Sequence, residues 1–209
     1  MSEHCCPAPP PSADPRYRRI LWIALAVNAA MFLVELGASA TSGSAALAAD
    51  ALDFAGDAFN YGLSLAAIAA GGLWASRVAL LKGLTMGAYG IGVLAFCAWR
   101  IHVGTPPEPL TMGIIGTLAL AANLWVAWLL YAYREGDANM RSVWLCTRND
   151  AISNLAVLAA ALGVFGTGTF WPDVAVAALM AWLALVSAYS VIRRARAELA
   201  SPQSPRSTV

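Results

Sequence analysis

The chain has 209 residues, 59% of them hydrophobic and only 12% charged, with a formal net charge of +1. That composition, with a positive mean hydropathy, excludes an ordinary soluble globular domain and points to an all-α, multi-pass membrane protein. The near-neutral balance, with no sustained basic face, excludes nucleic acid as a partner and leaves membrane lipid, ions and other copies of the chain.

Residues 1–15 are rich in Pro, Ser and Ala, cannot bury a core, and are expected to form a disordered cytoplasmic tail. The tail's His4-Cys5-Cys6 run could hold a soft cation or consist of incidental thiols, since three adjacent residues lack the spacing of a closed site. Arg16, Arg18 and Arg19 precede a first apolar helix from Ile20 to about Thr41, long enough for a hydrocarbon core of roughly 30 Å. Ala38-Ser39-Ala40 imitates a signal-peptide cleavage site. Against that reading stand Glu35, the length of the run, and a second membrane segment after only Ser42-Gly43-Ser44.

The second helix is expected over Ala45 to Gly71 and the third over Arg77 to Ile101. Gly83 and Gly87 of the third form a small-xxx-small pair suited to close helix contact. Pro106, Pro107 and Pro109 break the chain between His102 and Thr111. A fourth helix follows from Met112 to Tyr133, a fifth from Arg141 to Phe165 and a sixth from Asp173 to Ile192, with a disordered tail from 196 to 209. The membrane domain is thus placed at 16–195. Arg16, Arg18, Arg19, Arg77, Lys82, Arg134, Arg141, Arg193, Arg194 and Arg196 fall on one side of six spans and Arg100 alone on the other, which puts both termini in the cytoplasm. Trp22, Trp74, Trp99, Trp144 and Trp171 lie at interfaces, while Trp125, Trp128 and Trp182 are read as deeper packing residues. Cys97 and Cys146 sit inside apolar runs, so the thiols are expected to be free or to serve as ligands rather than to form a disulfide framework.

The second helix carries Asp50, Asp53, Asp57 and Asn60 at steps of 3, 4 and 3, which keeps them within an arc of roughly 80° on one face. Ionisable groups at membrane depth are costly and call for protons, water or a compensating cation. At about 1.5 Å per residue, Asp57 lies roughly 18 Å into its helix and Asp150 of the fifth helix reaches a similar level, with Asn154 near Asp53 and Cys146 one turn towards the cytoplasm. Asp53, Asp57 and Asp150, with Cys146 or an amide oxygen, suit a four-coordinate divalent cation such as zinc. Protonation of the same carboxylates would make cation and proton alternative occupants. Asp50 and Glu35, nearer the outer side, are auxiliary candidates for a second cation station, a proton route or packing, and Asn60 is placed on the cytoplasmic side of the site. Asn28, Asn123, Ser64 and Ser153 are read as hydrogen-bonding groups between helices.

Glu35-Leu-Gly with Gly43-Ser-Ala-Ala-Leu-Ala-Ala-Asp50-Ala-Leu-Asp53-Phe-Ala-Gly-Asp57-Ala resembles the signature of helices 1 and 2 of the cation diffusion facilitator family. Asn149-Asp150-Ala-Ile-Ser-Asn154-Leu-Ala-Val resembles its helix 5. The resemblance, over about residues 16–195, implies a homodimeric six-helix exporter of divalent metal driven by proton influx. Its tetrahedral site would be made by Asp53, Asp57 and two positions one turn apart on helix 5. Where the family usually places His, this chain has Cys146, which favours softer ions if the thiolate binds. The family's cytoplasmic metal-binding domain is missing from the sequence, so a dimer would rest on membrane helices such as the glycine-rich third. These features lead to a zinc-like exporter in a bacterial cytoplasmic membrane, with cadmium, cobalt, nickel, iron and copper as other possible ions. The alternative is a membrane metal-binding sensor or accessory protein that moves nothing. An enzyme is not expected, since no nucleophile–base pair or His-rich ligand set is present.

Overall fold

The computed structural model describes residues 15–67, 73–133 and 138–200. These form α1 (Pro15–Ser42), α2 (Ala45–Ala67), α3 (Leu73–Val103), α4 (Pro109–Tyr131), α5 (Ala138–Thr167) and α6 (Trp171–Ala200), with no strand among the described residues. The tail residues 1–14 and 201–209, and the end of the second helix expected at Gly71, lie outside the described residues.

Several helices run further than their apolar segments predict. α3 continues to Val103 and α4 begins at Pro109, because Pro at the first helical position gives up only an N–H that has no partner there. α6 passes through Arg193, Arg194 and Arg196 to Ala200, so the terminal tail does not begin at 196. Ala, Arg, Glu and Leu are strong helix formers, and Ala195 is buried. α1 stops at Gly43, whose φ of 73° closes the helix with a Gly43 N–H to Ser39 carbonyl bond of 2.9 Å. Glycine reaches that left-handed conformation without the Cβ penalty.

Among the described residues, five helices hold a stretch long and apolar enough to cross a membrane: α1, α3 from Gly83, α4, α5 from Asp150, and α6 to Ala197. α2 is the exception, because every stretch of 18 residues in it contains Asp50, Asp53 and Asp57. It is nevertheless the central helix, packed against α1, α3, α5 and α6. α1, α2, α5 and α4 each touch the next and close a ring, while α3 and α6 pair with each other beside α2.

The inward stripe of α1 is Tyr17, Leu21, Ala24, Asn28, Met31, Glu35 and Ser39. That of α4 is Met112, Gly116, Ala119, Asn123, Val126 and Leu130. Both follow the three- and four-residue steps of one helical face. Apolar packing gathers at the two ends of the bundle. At one end Ala45–Ala49 meet Val157, Ala161, Val164 and Ala177. At the other, Tyr17, Leu21, Tyr61, Val126 and Leu130 pack together. Between them the core thins to Met31, Phe54 and Ala119.

The glycine face of α3 is used within the chain. A Cβ on Gly83 would stand 2.7 Å from Ile192 Cγ1, and one on Gly90 would stand 3.2 Å from Leu185, so α6 occupies the face expected to serve a dimer. Trp125, Trp128 and Trp182 are not packing residues: they are 47%, 70% and 62% exposed on the outer surface. Lipid tails are as apolar as a protein core, so nothing drives these rings inward.

Candidate metal site

α2 starts at Ala45 because its N-terminal groups are met from another helix. The buried carboxylate of Asp173, in the first turn of α6, accepts the Ser44 hydroxyl at 2.6 Å and the N–H groups of Ala45 and Ala46 at 2.8 and 3.0 Å. Ser44 in turn accepts the Leu47 N–H at 3.1 Å as an N-cap. Buried Arg100 donates to the Thr105 carbonyl at 2.6 Å, lies against Gly43, and acts electrostatically on Asp173. The cation expected alone on its side of the membrane therefore braces the α1–α2 turn.

Further along α2, Asp50 is 1% exposed, Asp53 is partly open, and Asp57 is 8% exposed. Asp53 feels the charges of both Asp50 and Asp57, and Glu35 of α1 faces Asp50. Neither Glu35 oxygen nor Asp50 Oδ2 has a hydrogen-bond partner of good geometry, although both residues are buried. The four acids thus form a continuous column between α1 and α2. Asn60, one turn beyond, is half-buried.

The register of α5 against α2 is marked by a buried contact, Tyr61 Oη to Thr147 Oγ1 at 2.7 Å. The helices are antiparallel, since the start of α2 packs against Val157–Val164. Four residues back from Tyr61 is Asp57, and three on from Thr147 is Asp150, displacements of about 6 and 4.5 Å in the same direction. Asp57 and Asp150 therefore share a level, and Asp53 shares the next with Asn154. Asn154 is fully buried with both amide atoms unpartnered. Cys146 sits in α5, but its side chain lies outside the described residues. Among the described residues no three His, Cys, Asp or Glu side chains are drawn into one set able to hold a metal ion. The three aspartates are thus brought to adjacent levels without closing a carboxylate cage.

Asp173, Arg100, Tyr61 and Thr147 position this site and were not legible in the sequence as doing so. Ser44 three residues before Leu47 is a readable N-cap, but an acid in the first turn of α6 carries no local sign that it caps α2.

Among the described residues, an all-helical bundle with five membrane-length apolar helices and a buried acidic helix at its centre defines a multi-pass membrane protein. The chain belongs to the Cation efflux transmembrane domain family, which it matches over residues 21–200. It is 24% identical over 193 residues to the metal cation efflux system protein CzcD of Cupriavidus metallidurans, an alignment covering 83% of this chain and 61% of that protein. A cadmium, cobalt and zinc/H(+)-K(+) antiporter of Bacillus velezensis is 30% identical over 92 residues, covering 42% of this chain and 29% of the antiporter. The chain therefore spans about three-fifths of the length of CzcD.

Proposed function

We propose that this protein is a secondary transporter that moves a divalent transition-metal cation, zinc in the first place, out of the bacterial cytoplasm in exchange for protons. The reading takes α2 as a sixth span, both termini as cytoplasmic, residues 16–195 as the transport domain, and a homodimer as the working unit. Asp53 and Asp57 of α2 and Asp150 of α5 are the cation-binding carboxylates, with Cys146 as a further ligand. Asp50 and Glu35 serve the same column from the other side, and Asn154 and Asn60 flank the pair.

One observation carries the reading: Asp57 and Asp150, on two helices of the central ring, stand at one level in the thin middle of the bundle, one turn from the buried Tyr61–Thr147 contact. Buried acids are a poor way to hold helices together, since desolvation offsets what their hydrogen bonds contribute. Family membership and the cation-efflux names of the relatives support the direction of transport.

The test is flux in proteoliposomes loaded with a pH-sensitive dye. A zinc gradient should drive opposite proton movement in the unaltered protein and none in Asp53→Ala or Asp57→Ala. Zinc binding without flux would give the non-transporting accessory role instead. A metal panel run with Cys146→Ser reports on the thiol, because a selectivity order unchanged by that substitution removes it from the site.

A further inference from the structure

We infer that Asn28 of α1 and Asn123 of α4 are cation ligands, their side-chain carbonyl oxygens completing with Asp57 and Asp150 an oxygen cage contributed by all four helices of the central ring. The inference rests on the transport reading above and extends it to two side chains that reading leaves without a role.

The registers of the ring bring the four residues to one level. Leu25 Cδ1 lies 3.5 Å from the Cβ position of Gly62, and Glu35 faces Asp50, so α1 and α2 are antiparallel and Asn28 stands level with Asp57. Leu158 Cδ2 lies 3.2 Å from the Cβ position of Gly116. In the antiparallel pair of α4 and α5, seven residues on from Gly116 is Asn123, and seven or eight back from Leu158 are Ala151 and Asp150. Asn28 and Asn123 both lie on the inward stripes of their helices, each between the apolar cluster around Leu21 and Val126 and the smaller one around Met31 and Ala119.

Asn28 is fully buried and Asn123 is 2% exposed. Asn28 Nδ2 donates to the Ala24 carbonyl at 2.8 Å. Only the amide nitrogen can donate to a carbonyl, so the oxygen is the end left over. Asn28 Oδ1 and Asn123 Oδ1 have no hydrogen-bond partner. Had these amides served to join helices, their oxygens would accept from the neighbouring helix, and buried acceptors left without a donor are destabilising. A cation is what two unpartnered carbonyl oxygens level with two carboxylates can satisfy. The amides also supply what the acids lack, since no group of three acidic, His or Cys side chains closes a set among the described residues. They add donors without adding negative charge to a buried site. An oxygen-rich cage shifts preference towards harder divalent ions such as manganese and away from the soft ions that a thiolate would favour.

The experiment uses the full chain in nanodiscs, titrated with Co2+ and followed by its visible absorption, with zinc affinity measured by competition. Asn28→Leu and Asn123→Leu should each weaken Co2+ binding by about tenfold and shift the absorption band, whereas Asn28→Asp and Asn123→Asp, which keep an oxygen donor, should retain binding with a shifted band. Unaltered affinity and spectrum in the Leu variants, while Asp57→Asn abolishes binding, would overturn the inference and leave the transport reading standing. A protein that binds no divalent cation at all would overturn both. If the Leu variants do not fold, the Asp variants decide, because a band identical to that of the unaltered protein means that neither amide touches the ion.

Discussion

The Asp173 carboxylate accepts one side-chain and two backbone donors at the start of α2, all of them buried. Removing it leaves those donors with no water to turn to, so Asp173→Ala should cost about 2–3 kcal/mol. The loss should be visible as a lowered melting temperature of the purified protein, and Asp173→Asn should lose less. Tyr61→Phe removes a buried hydroxyl contact between α2 and α5, and it should cost about 1 kcal/mol. It should also weaken zinc binding, because Asp57 and Asp150 would no longer be held level; an affinity equal to that of the unaltered protein would show that the register is set elsewhere. At this scale the acids of α2 were readable, since helical spacing alone puts Asp50, Asp53 and Asp57 on one face. Asp173 was not, because the groups it meets lie more than a hundred residues away.

Among the elements, α3 and α6 pack through glycine at the closest point. With Ile192 Cγ1 already 2.7 Å from the Cβ position of Gly83 and the Ala188 carbonyl at 3.3 Å, there is no room for a side chain. Gly83→Leu should part the two helices and destabilise the protein by about 2–3 kcal/mol, an overpacking effect measurable by thermal melting. Gly92, on the same helix with open space around it, tolerates alanine and serves as the control. Element type was legible throughout, because long apolar runs bounded by Gly, Pro and charge have few alternatives to a helix. The ends were less so. Apolarity marks the membrane-facing part of a helix, whereas hydrogen bonding carries α3 to Val103 and α6 to Ala200. The three outward tryptophans show the same limit: periodicity tells which residues share a face, and in lipid a hydrophobic face need not be the buried one.

For the whole molecule, the proposed exchange makes protons and metal alternative occupants of the same carboxylates. Binding of zinc should then release protons, and the heat of binding should change with the ionisation enthalpy of the buffer. Titration calorimetry in two buffers of equal pH checks this, and equal heats in both would mean that the acids are already ionised before the metal arrives. The bundle also places the acids in the thinnest part of its apolar core, between two well-packed ends.

Composition and spacing by themselves determined that the chain is a helical membrane protein and that α2 carries an acidic face, because apolar length and the 3.6-residue period are local properties. They also brought Asp57 and Asp150 to similar depths, since depth along a straight helix is a matter of counting. What only the tertiary structure decided is which faces meet. It closed α1, α2, α5 and α4 into a ring, spent the glycines of α3 on α6, capped α2 from α6 and turned the amides of Asn28 and Asn123 inward with their oxygens unpartnered. Lateral packing depends on contacts between residues far apart in the chain, and no local pattern records it.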